Sequence, residues 1–263
     1  MSKTRRMLLI LLGIALLLRP ADMLLKVLLP DASVAPAAVC VGGMVMTILL
    51  LGVPAWVMRP WQSLRLPQQK SRTPGILLGA VMAVVCRAAI TPLDGAWQAW
   101  LKVTPDALPM PESVPMAMLY ILALAVIPAL AEEAFFRGAL LTSLLDGSRR
   151  VTAVLLTAVS FTLMHGSLAQ LPGHLVFSLL LTLLMIRTGR IAVPMTAHFV
   201  YNLTALNWVS VPLWGSALCG LALIALAAWI IIRRPKYAHP PMKGPDGLIA
   251  AAALAAMAAS YLI

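Results

Sequence analysis

The chain has 263 residues, of which 61% are hydrophobic and only 11% are charged. A soluble globular domain carries about 25% charged residues, so this composition excludes a water-exposed globular surface, and its apolar content excludes a disordered chain. The net charge of +11 does not indicate a nucleic-acid-binding protein, because the basic residues lie in short loops between apolar runs, as they do on the inner face of membrane proteins.

The apolar runs are continuous rather than alternating, which predicts membrane-spanning helices and excludes a transmembrane β-barrel. We therefore expect an all-α fold, a polytopic transmembrane helical bundle of about eight or nine spans, since each span needs about 20 residues. In chain order, the predicted spans are residues 7–29, 34–58, 74–92, 114–140, 151–171, 173–186, 191–208, 211–232 and 247–263.

The first predicted span is the least regular of the nine. Arg19, Pro20, Asp22 and Lys26 interrupt its apolar run. Residues 7–29 therefore form either one full span or a shorter span that is followed by an interfacial helix. The basic start of the chain resembles a secretory signal, but the many spans downstream predict an uncleaved first helix.

The charge distribution predicts the orientation in the membrane. With a cytoplasmic N-terminus and alternating spans, most of the 20 Lys and Arg residues fall on the cytoplasmic side, whereas Asp31, Asp94, Asp106 and Glu112 fall on the other side. This pattern follows the positive-inside rule. It predicts a multi-pass protein of the cell (inner) membrane whose apolar faces contact lipid.

Polar side chains within the predicted spans are the strongest functional signal. A charge in the membrane interior is costly unless it faces protein or trapped water, so each such residue is a functional candidate. At a rise of ~1.5 Å per residue, Glu132, His165 and Asn202 lie about 17 to 21 Å from the cytoplasmic ends of their helices. The candidates are Glu132, Glu133 and Arg137 in the fourth span, His165 in the fifth, and His198 and Asn202 in the seventh.

The spacing of the acidic and basic candidates in the fourth span predicts two different roles. Glu133 and Arg137 are four residues apart, so they share one helix face, with the acid on the N-terminal side that favours an ion pair. This pair has a purely structural interpretation. Glu132 points about 100° away from Glu133, so its carboxylate is free for another role.

The other candidates show the same four-residue spacing. Phe161 lies one turn before His165 and can pack beside its ring, while His198 and Asn202 share a face and can direct two polar groups to one point. A carboxylate, two imidazoles and an amide can activate a water molecule and stabilise an oxyanion.

Together these residues form three motifs. Glu132-Glu133-x-x-x-Arg137, Phe161-x-x-x-His165 and His198-x-x-x-Asn202 resemble, in order and spacing, the motifs of the CAAX-protease and bacteriocin-processing (CPBP, or Abi) family. The resemblance covers about residues 114–205. It divides the membrane domain into N-terminal helices (1–113), a catalytic helical core (114–209) and C-terminal helices (210–263).

The resemblance implies an intramembrane endopeptidase that acts on a membrane-associated, lipidated or precursor peptide. By the same resemblance, Glu132 and His165 activate the attacking water, and His198 and Asn202 stabilise the tetrahedral intermediate. Glu133 and Arg137 then support the helix geometry, and Phe161 provides packing.

Cofactor use has two alternatives. A zinc-dependent enzyme would use Glu132, His165 and His198 as ligands, which is an acceptable set of nitrogen and oxygen donors. These residues come from separate helices and lack the compact HExxH spacing. We therefore expect a glutamate-type hydrolase with no cofactor, and we keep zinc as the alternative.

Two other functions are compatible with the same residues. The protein could be a non-catalytic bacteriocin-immunity or membrane scaffold protein that keeps the polar cluster for packing or partner binding. A proton-relay transporter is less favoured, because the inverted repeats and broken helix pairs of transporters are missing from the sequence. Outside the motifs, His174 is attributed to interfacial polarity. Arg87 is expected to snorkel or to pair with an acid, and contact with the substrate is a much less favoured alternative.

Overall fold

The computed structural model describes residues 1–29, 31, 34–58, 73–105, 109–206, 211–232, 242, 244–259 and 261. Over these ranges the chain forms nine helices and no strand, which confirms the predicted all-α fold. The helices are α1 (Lys3–Leu28), α2 (Pro36–Met58), α3 (Thr73–Leu101), α4 (Val114–Gly147), α5 (Arg150–Met164), α6 (Leu168–Thr188), α7 (Ala192–Leu206), α8 (Leu213–Ile232) and α9 (Gly244–Ala259).

Five of these helices are long and apolar enough to cross a membrane: α1, α2, α3, α4 and α6. The helices α5, α8 and α9 are apolar but shorter over their described residues. The chain is therefore a multi-pass membrane protein. Residues 59–72, between α2 and α3, and residues 233–241, after α8, lie outside the described residues.

The first helix is continuous. Pro20 lies inside α1, and the helix does not end at the charged residues around it. Asp22 forms ion pairs with Arg19 at 3.3 Å and with Lys26 at 2.9 Å on the same helix. These pairs let the charges remain within one continuous helix, as the single-span alternative for residues 7–29 requires.

The predicted boundary between the fifth and sixth spans is wrong. The sequence places it after residue 171, whereas α5 ends at Met164 and α6 begins at Leu168. Gly166 reverses the chain between them with a φ of 62°, a left-handed conformation that glycine adopts without steric cost. His165 therefore lies immediately after α5 rather than within a span.

The third span is also longer than predicted. The helix α3 continues past residue 92 to Leu101 and contains Pro92 and Asp94. Asp94 is compatible with this extension because its Oδ1 accepts a hydrogen bond of 2.8 Å from the Gly173 N–H in α6.

Polar contacts define the two ends of the bundle. At one end, the start of α1 meets the end of α4, where Lys3 lies 3.7 Å from Asp146, and the start of α9, where Arg5 lies 2.7 Å from Asp246. At the other end, Trp97 of α3 donates a hydrogen bond of 2.8 Å to the Leu168 carbonyl of α6. Both sets of contacts agree with alternating membrane crossings.

Two apolar cores meet near the motif residues. One core joins α1, α4, α5 and α9 and includes Phe161, and the other joins α3, α6 and α7 and includes Phe177. The crossing of α3 and α7 is close at Gly79, where a Cβ atom would lie 2.8 Å from the Val193 carbonyl oxygen. This close crossing holds α7, with its polar residues, against the middle of α3.

Candidate functional site

The first motif lies on an irregular part of α4. Residues Ile127–Glu133 are α-helical, and the following segment Ala134–Leu140 is π-helical, a conformation that is frequent at functional sites. Both Glu132 and Glu133 are buried, at 7% and 0% exposure. Their carboxylates have different partners, as the helix geometry predicts.

Glu132 faces His165. Glu132 Oε2 lies 3.6 Å from His165 Nε2, which is longer than a direct hydrogen bond. His165 Nδ1 lies 2.8 Å from the Phe161 carbonyl oxygen. A carbonyl oxygen only accepts, so Nδ1 carries the hydrogen, and a neutral ring directs an unprotonated Nε2 towards Glu132.

Glu133 is the centre of a buried ionic network. Its Oε1 accepts hydrogen bonds from Arg137 Nη1 at 2.7 Å and from His198 Nδ1 at 2.8 Å. Arg137 Nη2 also donates to Ser178, at 3.0 Å to the carbonyl oxygen and 2.7 Å to Oγ. The network confirms the predicted Glu133–Arg137 pair and joins α4, α6 and α7.

Aromatic rings enclose this network. The Phe161 ring lies 4.5 Å from the His165 ring, 5.7 Å from the His198 ring and 4.5 Å from the Arg137 guanidinium carbon. The Phe177 ring also lies close to the His198 ring, at 5.4 Å. Phe161 therefore packs against both motif histidines.

Two cavities meet at Glu132 and His165. The first, which we call the polar cavity, has a volume of about 330 Å³ and includes Glu132, His165 and Asn202 in its lining. The second, the apolar cavity, has a volume of about 260 Å³ and extends between α1, α2 and α4. Apart from Asp22, Thr47, Glu132 and His165, the described residues that line it are apolar or glycine.

The structure thus brings three predicted site residues, Glu132, His165 and Asn202, to one cavity. His198 lies one turn before Asn202 on α7 but is 2% exposed, and among the described residues it is not part of the lining of the polar cavity. Its Nδ1 contact is to Glu133, so it belongs to the buried network.

Several residues of the polar cavity were not identified as site residues from the sequence. The His174 ring lies 4.2 Å from the His165 ring, so His174 belongs to the site rather than to the interface alone. Arg87, Asp94 and Tyr201 also line this cavity. His174 lies one turn before Ser178 on α6 and so shares its helix face, but the contact of Ser178 with Arg137 of α4 is known only from the structure, so the sequence gives no signal for His174.

The donor geometry bears on the zinc alternative. Within the described ranges, no group of three or more His, Cys, Asp or Glu side chains is arranged to hold a metal ion. Glu132 and His165 face each other in the polar cavity, whereas His198, the third ligand of the zinc alternative, is not among the described residues that line it. We therefore propose a mechanism that uses no metal.

Part of the chain matches the model of a known protein family. Residues 114–204 match the family model described as Type II CAAX prenyl endopeptidase Rce1-like. The matched segment runs from the start of α4 into α7 and contains all three motifs, which confirms the resemblance recognised from their order and spacing. Comparisons with curated proteins and with solved structures give no match.

Proposed function

We propose that this chain, whose residues 114–204 carry the sequence pattern of the CAAX-protease family, is an intramembrane endopeptidase. The family match supports this type of protease in general. The proposed residue roles rest on one observation, which is that the Glu132 carboxylate and the His165 imidazole face each other where both line the two cavities.

The separation between these two groups suits a shared water molecule. The 3.6 Å between Glu132 Oε2 and His165 Nε2 is too long for a direct hydrogen bond, and a water molecule beside the pair can contact both atoms. Glu132 Oε2 is also buried and has no hydrogen-bond partner among the described residues. We propose that this oxygen and His165 Nε2 both accept hydrogen bonds from the attacking water.

In the reaction, the water oxygen forms a bond to the scissile carbonyl carbon while Glu132 takes one of its protons. The tetrahedral intermediate then collapses, the C–N bond breaks, and Glu132 returns the proton to the departing amine nitrogen. General acid–base catalysis of this kind contributes about 10² to 10⁴ in rate.

The oxyanion needs a hydrogen-bond donor that faces the same cavity. Asn202 lines the polar cavity with Glu132 and His165, and its amide NH₂ can donate. A neutral His198 ring already donates its hydrogen to Glu133. We therefore assign the stabilisation of the oxyanion to Asn202. His198 positions α7, and it offers a second hydrogen-bond donor only when both of its ring nitrogens are protonated.

The substrate that fits this arrangement is a membrane-associated peptide. The apolar cavity reaches Glu132 from the side of α1 and α2, where an apolar or lipidated segment can be buried, and the matched family model is that of a prenyl endopeptidase. We further propose a location in the cell membrane with a cytoplasmic N-terminus. Arg5, near the start of α1, and Arg149 and Arg150, after α4, lie at the end of the bundle that this orientation places inside.

The test is cleavage of a prenylated, internally quenched peptide that ends in a CAAX sequence, by the full chain in lipid vesicles. We expect the Glu132→Gln and His165→Ala variants to lose cleavage, whereas Glu112→Gln, at an exposed position outside the cavities, retains it. Full activity of Glu132→Gln would overturn the assignment. An inactive wild-type chain whose Glu132→Gln variant still protects cells against a bacteriocin would favour the immunity or scaffold alternative.

A further inference from the structure

A second charged group lies in the polar cavity. Arg87 is near the middle of α3, half-buried, and the carbon of its guanidinium group lies 3.8 Å from the centre of the Tyr201 ring. Its Nη2 donates a hydrogen bond of 3.2 Å to the Tyr201 carbonyl oxygen. A cation at this depth in a membrane helix is costly and is retained where it has a functional role.

The described part of the chain does not neutralise this charge by direct contact. Within that part, no carboxylate lies within 4.0 Å of Arg87, and its Nε is buried without a hydrogen-bond partner. Asp94 lies seven residues further along α3, about 10 Å along the helix axis, and its Oδ1 is bound to the Gly173 N–H. A Cβ atom at Gly173 would overlap the Asp94 carboxylate, which shows how closely that group is held to α6.

The position of Arg87 relative to the catalytic groups indicates its ligand. It lines the same cavity of about 330 Å³ as Glu132, His165 and Asn202. The planar guanidinium group suits a carboxylate, to which it can donate two parallel hydrogen bonds. A carboxylate that enters a membrane-embedded cavity requires such a partner, because an unpaired buried charge is strongly disfavoured.

The size of the cavity indicates which carboxylate it accepts. Ligand cavities measure about 300 to 1,000 Å³, so the polar cavity is at the small end of this range and has room for only a short peptide segment. A substrate that ends in a CAAX sequence carries its C-terminal carboxylate a few residues beyond the bond at Glu132. We propose that Arg87 binds this C-terminal α-carboxylate and so sets a preference for a free C-terminus; this rests on the proposed endopeptidase function.

The experiment compares three versions of the prenylated, quenched peptide in vesicles: the free acid, the C-terminal amide, and an amide whose last residue is Asp. We expect the wild-type chain to cleave the free acid with a kcat/KM about tenfold or more above that of the amide, which is the factor that a charge-assisted hydrogen bond supplies. The Arg87→Gln variant should lose this preference, and Arg87→Lys should keep part of it. The matched control is Lys102→Gln, which removes an exposed cation directly after α3. This variant should retain the full preference.

The outcomes separate this inference from the proposed function. Equal cleavage of the acid and the amide by the wild-type chain, or an unchanged preference in Arg87→Gln, overturns the role of Arg87 and leaves the endopeptidase assignment intact. If the Asp-ended amide is cleaved at the rate of the free acid, the α-carboxylate is not the required ligand, and Arg87 binds a side-chain carboxylate instead. If the wild-type chain cleaves none of the three peptides, the proposed function fails with the inference.

Discussion

Glu132 and Glu133 are consecutive residues of α4, yet their carboxylates lie in two different environments. Glu132 lines both cavities and faces His165 Nε2 at 3.6 Å. Glu133 is fully buried and accepts hydrogen bonds from Arg137 and His198. A rotation of one residue along the helix thus separates a carboxylate that lines both cavities from one that contacts residues of α4 and α7 in a buried network.

This relationship predicts opposite effects of the same substitution at the two positions. Glu132→Gln should leave the thermal unfolding temperature close to that of the wild-type chain and reduce kcat by about 10² or more, because it removes the proton acceptor. Glu133→Gln should destabilise the protein by about 3 to 5 kcal/mol, since it breaks a buried ion pair and leaves Arg137 without its counter-charge.

Thermal unfolding in detergent and peptide cleavage in vesicles, measured on the same preparations, distinguish the two effects. Glu112→Gln controls for the loss of an acidic group at an exposed position. A Glu133→Gln variant with wild-type stability, or a Glu132→Gln variant with wild-type kcat, would contradict the division of roles.

The motif geometry that lies within single helices could be predicted from the sequence. The Glu133–Arg137 pair and the packing of Phe161 on His165 both follow from a spacing of four residues, which fixes a shared helix face whatever the helix packs against. The burial of Glu132 follows in the same way from its place in a long apolar run.

What could not be predicted depends on contacts between helices or on a single glycine. The observed end of α5 differs from the predicted one because the chain reverses at Gly166, and the positive φ of this residue leaves no sign in the pattern of apolar residues. The contacts of Arg137 with Ser178 and of Arg87 with Tyr201 join residues that are 41 and 114 positions apart. A serine in an apolar helix is too common to be recognised as a partner from sequence alone.

His174 provides a prediction about packing on His165, the histidine of the proposed catalytic pair. Its ring lies 4.2 Å from the His165 ring at an interplanar angle of 36°, and such ring pairs contribute about 0.5 to 1.5 kcal/mol. His174→Ala should therefore lower kcat by up to about tenfold, because His165 loses one of its two ring neighbours. His174→Phe keeps a ring in place and should retain most of the activity.

Steady-state cleavage by both variants is the measurement, with thermal unfolding as the control for folding. If His174→Phe is as inactive as His174→Ala while both remain folded, the nitrogen atoms of His174 take part in the reaction and a packing role is wrong.

Metal removal tests the cofactor proposal. Dialysis against a chelator should leave kcat unchanged, and added zinc should not increase it, since the proposed water is activated by Glu132 and His165 alone. The result that would contradict this is a loss of activity that zinc restores, together with a zinc-dependent rise in unfolding temperature that His198→Ala abolishes. That outcome would identify Glu132, His165 and His198 as a ligand set.

The last prediction concerns the oxyanion and uses two amides of the same cavity. Asn202 and Gln170 both line the polar cavity, but Asn202 shares the α7 face with His198, whereas Gln170 lies at the start of α6. Asn202→Ala should lower kcat by about 10² to 10³ with little change in KM, because an oxyanion donor acts mainly in the transition state. Gln170→Ala should change kcat by less than about threefold, since it removes a comparable amide without removing that donor. Equal losses of kcat in the two variants would show that activity depends on the general polarity of the cavity rather than on a hydrogen-bond donor at Asn202.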